Sequence, residues 1–213
     1  YDPTWQSESW LADLGDTSPW HYSHPQLIRR ARAWIDEACP GTGLAITEYN
    51  WGADNGASSA IAQAEALAIF AREGVDVAAR WVAPATGSLV ERAFRLYLDY
   101  DGQGSRVEGD SVRATSASVD ALGAYAFHAT GSRIMVVLVN KATVANSAAI
   151  DFGTALAGNW QLYQFSGSSN LGLVGSGSVN GTSLLTASLP ARSVSLLVLP
   201  DSDRIFANGF DQP

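Results

Sequence analysis

The stretch "GLAITEYNWGADNG", residues 43–56, decides how the first half of this 213-residue sequence is interpreted. It opens with the apolar residues 44–46, which give way to Thr-Glu-Tyr-Asn-Trp and then to glycine-rich chain. A short apolar run bounded by turn residues is typical of a buried strand. The pattern therefore predicts a strand that ends by presenting a carboxylate, two aromatic rings and an amide.

The residues around this strand alternate between helical and strand patterns. Residues 24–38 carry apolar side chains at the spacing of one helix face, and Pro40-Gly41 ends that helix. Further helices are predicted from an N-cap at Ser58-Ser59 to Gly74 and over 89–100, with a second strand over 75–82. Such alternation with short connections is the pattern of parallel βαβ units.

Two parallel strands do not make a stable sheet alone, because their faces and edges need cover. This α/β segment is therefore predicted to be part of a larger barrel or sheet. A complete (β/α)8 barrel needs roughly 250 residues. The missing strands are expected upstream of Tyr1, in the same longer chain, or in a separate chain.

The second half has a different periodicity. Between residues 111 and 200 about eight short β-like runs are separated by Gly, Asn and Ser clusters. Evenly spaced strands of this kind predict an antiparallel β-sandwich. The hinge between the halves is expected at residues 101–105, and residues 201–213 form a tail without a pattern.

Composition excludes several classes of protein. The net charge is −8 and no Lys/Arg run occurs, which argues against nucleic acid as a partner. No apolar stretch reaches the length of a membrane span, so no membrane partner is expected. The single cysteine excludes an intrachain disulfide.

The residues that could carry out chemistry lie at the ends of the predicted strands. The first strand delivers Glu48 with its aromatic neighbours, and the second delivers Trp81. A carboxylate beside aromatic planes suits sugar chemistry, because rings stack on pyranose C–H faces and the carboxylate attacks or stabilises the anomeric carbon. The alternatives are a solvated loop glutamate and a core tryptophan. Glu37, Glu65 and Glu91 fall within helices and are predicted to make surface or helix–helix contacts.

Two further segments are candidates for binding. The opening loop is rich in tryptophan, which suits either a ligand-lining loop or a structural cap on the outer layer of a barrel. Trp5 and Trp10 are the favoured ligand-lining residues, because they lie farthest from the start of the first helix. Residues 101–110 offer oxygens for a structural calcium ion, but they lack the spacing of a calcium loop, so a turn held by Asp side chains is favoured. No metal site is assigned, and no cofactor is expected to be required.

Taken in order, several segments resemble glycoside hydrolase family 44, a family of secreted bacterial endo-β-1,4-glucanases and xyloglucanases. The matching segments are "DPTWQSESWL", "ARAWIDEACPGTGLAITEYNWG", "IAQAEALAIFAREGV", "AFRLYLDYDGQGS" and "LPARSVSLLVL". The resemblance implies the C-terminal part of a (β/α)8 TIM barrel, from helix six to helix eight, over residues 1–106. It implies a β-sandwich over residues 107–200, which makes the fold class α/β plus all-β.

The same resemblance implies a retaining hydrolase of β-glucan polysaccharide, secreted from a bacterium. Glu48 stands at the nucleophile position of the family, Tyr49 is expected to orient it, and Trp81 to form the floor under the sugar. Trp51 is expected to bind substrate as well. The general acid of the family follows an Asn at the end of barrel strand four, which no residue here matches, so this chain alone is expected to lack activity.

A different interpretation is a non-catalytic carbohydrate-binding or structural β-sandwich with a barrel remnant. Its platform residues would be Tyr125, Trp160, Tyr163 and Phe165, whose alternation equally suits core strands.

Overall fold

The computed structural model describes residues 6, 24–129 and 133–200 of the chain. Its elements, in chain order, are α1 Leu27–Ala38, β1 Ala45–Tyr49, α2 Ala57–Arg72, β2 Val77–Arg80, α3 Leu89–Leu98, β3 Asp110–Val112, β4 Leu122–Ala129, β5 Arg133–Asn140, β6 Asn146–Ser166, β7 Ser169–Leu189 and β8 Ser193–Pro200. Within these residues the structure is mostly antiparallel β-sheet with few helices. No helix in this described part is long and apolar enough to cross a membrane.

The described residues form two compact units. The first contains α1, β1 and β2, and the second contains α2, α3 and β3 to β8. The division of the chain at residue 106, and the description as a barrel portion followed by a sandwich, stay predictions. The predicted tail over residues 201–213 lies outside the described residues.

The first unit is a parallel strand pair with one helix. β1 pairs with β2 in parallel, as the βαβ pattern predicts, from Ala45 opposite Val77 onwards. α1 begins at Leu27 rather than at residue 24, because the backbone of Gln26 is left-handed, with a φ of 38°. The helix ends at Ala38, and Pro40 cannot continue it.

Two ion pairs tie α1 to the segment that leads into β2. Arg29 Nε lies 2.9 Å from Glu73 Oε2, and Arg32 Nη2 lies 3.0 Å from Asp76 Oδ2. Both pairs join residues 44 positions apart in the chain. They therefore hold the helix beside the strand pair within this unit.

The second unit is built on a six-stranded antiparallel sheet in the order β3-β4-β5-β8-β6-β7. It has fewer strands than the predicted eight, because the runs "SAAIDFG" and "NWQLYQF" belong to the single 21-residue strand β6. β6 and the equally long β7 form one hairpin, and the β6–β7 ladder shifts register at four places. Such irregularities let a long strand bend without ending.

β5 explains why this sheet has an apolar core on each face. Side chains of successive strand residues point to opposite faces. Met135 and Val137 join the core that α2 and α3 cover, whereas Val136 and Leu138 join a second core formed with β6, β7 and β8. The near-continuous apolar run of this strand is therefore a consequence of burial on both faces.

The contact between α2 and the sheet includes a partly buried ion pair. Lys141 Nζ donates to Glu65 Oε1 at 2.9 Å, and the Tyr125 hydroxyl donates to the same oxygen at 3.0 Å. Gly123 leaves the space for this carboxylate, since a Cβ at that residue would lie 2.5 Å from Glu65 Oε1. The prediction that Glu65 makes a surface or helix–helix contact is therefore wrong, because α2 lies on a sheet.

We expect Gly123→Ala to lower the free energy of unfolding by about 1–3 kcal/mol, because the added methyl displaces Glu65 from its two partners. Urea denaturation at neutral pH measures the change. Gly172→Ala is the matched control on β7, where a Cβ would meet nothing within 4 Å. The control should change the free energy by less than about 0.5 kcal/mol. Equal losses in the two variants would contradict the role given to Gly123.

Candidate active site

Glu48 lies near the carboxyl end of β1 in an unusual backbone conformation. The register of β1 on β2 is interrupted between Thr47 and Tyr49, and Glu48 between them has a φ of 61°. A residue with a Cβ is disfavoured in this left-handed region by roughly 1–2 kcal/mol. An irregularity of this kind turns a side chain away from the direction that a regular strand would give it. The Glu48 side chain is exposed.

Trp81 and Tyr49 lie at the same end of the strand pair. The Trp81 backbone N–H donates to the Tyr49 carbonyl at 3.0 Å, which extends the pairing of β1 and β2 by one bond. Trp81 is 57% exposed, so within the described residues of this unit it does not fill a core. The structure thus brings Glu48, Tyr49 and Trp81 together at the carboxyl ends of two parallel strands, where barrel enzymes carry their catalytic residues.

Asp76 secures the opposite end of the pair, and sequence reasoning missed it because it falls inside a predicted strand. Its Oδ2 accepts the Leu44 backbone N–H at 2.7 Å and an Arg32 N–H at 3.0 Å. The Asp76 backbone N–H donates to the Leu44 carbonyl at 2.9 Å. The Leu44 N–H, and after it the Arg32 guanidinium, hold the pKa of Asp76 below its usual value.

Trp51 belongs to the second unit, on the loop of residues 50–56 that precedes α2, and is 43% exposed. The Ser59 hydroxyl donates to its carbonyl at 2.8 Å. The predicted N-cap at Ser58-Ser59 is wrong, because α2 already begins at Ala57. Trp5 and Trp10, the other predicted binding residues, lie outside the described residues.

In the loop predicted as a hinge, Asp carboxylates accept hydrogen bonds from backbone N–H groups of the same loop. Asp101 Oδ1 accepts the backbone N–H groups of Gln103 at 2.9 Å and Ser105 at 3.2 Å, and Asp99 Oδ1 accepts that of Gly104 at 2.7 Å. Hydrogen bonds from Ser105 and Gln103 lower the pKa of Asp101. A turn held by Asp side chains, the favoured alternative, describes this loop. In the described ranges no three His, Cys, Asp or Glu residues cluster as metal ligands, and a calcium ion stays a prediction.

The proposed sugar platform of the β-sheet is largely core. Tyr125, Tyr163 and Phe165 are buried, and Trp160 packs against the apolar core that β5 shares with β6 to β8. A Cβ at Gly177 would lie 3.1 Å from the Trp160 ring, so the indole covers this glycine. A groove of about 490 Å³ runs beside the ring. Three of the four residues named for a binding surface are therefore unsuited to it.

Comparison of sequences finds relatives whose names include beta-mannanase and endoglucanase. No family model matches the chain. Beta-mannanase/endoglucanase A of Caldicellulosiruptor saccharolyticus is 34% identical over 147 residues, which are 66% of this chain and 11% of that protein. Endoglucanase A of Paenibacillus lautus is 33% identical over 143 residues, again 66% of this chain and 20% of that protein. The chain therefore spans a fifth or less of these relatives.

Comparison of structures gives matches over nearly the whole chain. CelM2, a bifunctional glucanase-xylanase from a metagenome library, is 37% identical with a TM-score of 0.82, covering 95% of this chain and 37% of that one. A glycoside hydrolase family 44 xyloglucanase of Paenibacillus polymyxa is 26% identical with a TM-score of 0.80, covering 95% and 40%. The described fold is thus shared with one part of larger proteins.

We expect the left-handed backbone at Glu48 to determine how substitutions there change the free energy of unfolding. Glu48→Gly should be more stable than Glu48→Ala by about 1 kcal/mol, because only glycine adopts this φ without steric cost. Urea denaturation of the two variants gives the difference directly. At Thr47, a strand residue without the left-handed φ, the order of the Gly and Ala variants should reverse. An alanine variant at Glu48 as stable as the glycine variant would argue against this geometry.

The lowered pKa of Asp76 predicts a dependence of stability on pH. A carboxyl group whose pKa is lower in the folded state stabilises the fold above its unfolded pKa of about 3.9. This stabilisation is lost as the pH falls through the folded pKa. Thermal unfolding should therefore show Asp76→Asn melting below the wild type near neutral pH, with the difference vanishing under strongly acidic conditions. A difference that persists unchanged in acid would contradict the assignment.

Proposed function

We propose that this chain, which its sequence and fold place in glycoside hydrolase family 44, carries the nucleophile of a retaining endo-β-1,4-glucan hydrolase. The nucleophile is Glu48. The observation that carries the proposal is its left-handed backbone at the carboxyl end of a parallel strand, beside the exposed Trp81. Strained backbone of this kind clusters at active sites, where the surrounding structure maintains it.

In the proposed reaction the ionised Glu48 carboxylate attacks the anomeric carbon. The new carbon–oxygen bond forms as the glycosidic bond breaks, and a second carboxylic acid gives its proton to the leaving oxygen. That second group then removes a proton from water, which attacks the glycosyl-enzyme and frees Glu48. In retaining enzymes the two carboxyl groups lie about 5–5.5 Å apart, so a partner residue must approach the carboxyl end of β1.

The aromatic residues are proposed to bind the sugar. Trp81 forms the floor beneath the ring at the cleavage point, and Tyr49 orients Glu48 from the next position in β1. Trp51, Trp5 and Trp10 are proposed to stack on further sugar units. Stacking of aromatic rings on apolar sugar faces suits a neutral polysaccharide, in agreement with the absence of clustered positive charge in the sequence.

Further barrel strands, in the same longer chain or in a separate one, are proposed to complete the first unit and to supply the acid. Apolar side chains of this unit are largely exposed: Leu27 at 69%, Trp34 at 57% and Val77 at 57%. A parallel strand pair normally has both faces covered. The finer fold is then a (β/α)8 barrel followed by a β-sandwich formed from β3 to β8.

The substrate is proposed to be a plant cell-wall β-glucan, and the protein is proposed to act outside a bacterial cell. Relatives named endoglucanase and xyloglucanase support this substrate class. The competing function, a non-catalytic carbohydrate-binding module, has less support, because the aromatic residues of the described sheet are buried or only partly exposed.

The decisive experiment replaces Glu48 in a protein that joins this chain to its remaining barrel strands. Glu48→Gln should lower kcat on carboxymethylcellulose and xyloglucan by more than about 10³-fold, because the amide cannot attack the anomeric carbon. Glu37→Gln, an exposed glutamate on α1, is the matched control and should retain activity. The chain without those strands should show no hydrolysis.

A second measurement distinguishes a nucleophile from a general acid. With Glu48→Ala, azide should restore the turnover of an aryl β-cellobioside and give the α-glycosyl azide, because the small anion takes the place of the carboxylate. A β-glycosyl azide would assign Glu48 as the acid/base instead. Full hydrolysis of polysaccharide by Glu48→Gln would overturn the nucleophile assignment and favour a binding or structural role for this segment.

A further inference from the structure

The loop of residues 50–56 is anchored to the helix that follows it, and we infer that Ser59 is a positioning residue that fixes Trp51 as a preformed sugar-stacking platform. This inference rests on the proposed function, and it adds a residue to it. Ser59 lies in the first turn of α2 and is only 9% exposed. A buried hydroxyl needs a hydrogen-bond partner, and its partner here is the Trp51 carbonyl at 2.8 Å.

Gly56 leaves room for this hydroxyl, and Gly52 supplies a backbone turn next to Trp51. A Cβ at Gly56 would lie 3.2 Å from Ser59 Oγ and 3.1 Å from the Ala53 carbonyl oxygen, and a Cβ at Gly52 would lie 3.9 Å from Ser59 Oγ. Gly52 also has a φ of 89°, which residues with a side chain rarely adopt. The absence of a side chain at Gly56 therefore leaves the space that Ser59 occupies.

Asp54 anchors the far side of the same loop. Its carbonyl accepts the Val90 backbone N–H at 3.0 Å, and its Oδ2 accepts that of Ala85 at 2.8 Å. The Asn50 side chain accepts the Gly52 N–H at 2.8 Å, which closes the turn after Trp51. The loop is thus bonded to α2 on one side and to the start of α3 on the other.

These anchors fix the backbone of Trp51 while 43% of the residue remains exposed. A platform whose backbone is already ordered loses little conformational entropy when it binds a sugar, which strengthens binding. Because Ser59 acts through Trp51 rather than on the reacting atoms, its loss should weaken sugar binding and raise KM, with kcat nearly unchanged.

The test compares Ser59→Ala with Ser58→Ala in the full barrel protein. Ser58 is the matched control, because its hydroxyl accepts from Arg192 Nη1 at 2.7 Å, outside the loop. We expect Ser59→Ala to raise both KM and the Kd for cellohexaose, measured in a Glu48→Gln background, by about fivefold. Gly56→Ala should do the same by crowding Ser59, and Ser58→Ala should leave both constants unchanged.

A second readout needs no ligand and therefore separates this inference from the proposed function. In protein labelled with 5-fluorotryptophan, the ¹⁹F resonance of Trp51, assigned with Trp51→Phe, should be a single sharp line in the wild type and in Ser58→Ala. Ser59→Ala should broaden or split it. An unchanged resonance would overturn the positioning role, and unchanged cellohexaose affinity in Trp51→Ala would overturn the platform. A failure of the proposed function would appear separately, as an active Glu48→Gln.

Discussion

Burial of β5 on both faces is the constraint on which the second unit depends. Its alternating side chains enter two separate cores, so the sheet needs α2 and α3 on one face and the β6–β7 hairpin on the other. The ordered conformation of the loop before α2 depends on this packing. Trp51 is held by a helix that is itself held by the sheet, through the Glu65–Lys141 ion pair among other contacts.

In the first unit, the left-handed backbone of Glu48 is maintained by hydrogen bonds at both ends of a short strand pair. Asp76 binds the amino end of this pair, and the Trp81–Tyr49 backbone bond closes the other end beyond Glu48. A left-handed glutamate persists only where neighbouring contacts over-determine the backbone. Under the proposed function, stability and chemistry therefore compete at Glu48.

Sequence patterns are sufficient for the order and type of the elements from α1 to α3, because helical and strand periodicities are local properties. They do not show that two of the short β-like runs belong to the one long strand β6. They located Glu48 and Trp81 at strand exits, since apolar runs end visibly there. They could not give the φ of Glu48, which arises from the register between β1 and β2. The sequence predicts Ser59 as an N-cap, because a serine before an apolar run gives the same pattern whether it caps a helix or lies in its first turn. Asp76 was missed because its partners, Leu44 and Arg32, lie 32 and 44 residues away.

The β6–β7 hairpin has a consequence for how this protein behaves in solution. β7 is the outermost strand of its sheet, and its 21 residues include no Lys, Arg, Asp, Glu or Pro. Edge strands usually carry such residues, which deter pairing with a second molecule. Here the breaks in the β6–β7 ladder, together with glycines along β7, are the features that oppose intermolecular sheet extension. The features that oppose edge-to-edge pairing at β7 therefore lie in the irregularity of one hairpin rather than in its charge.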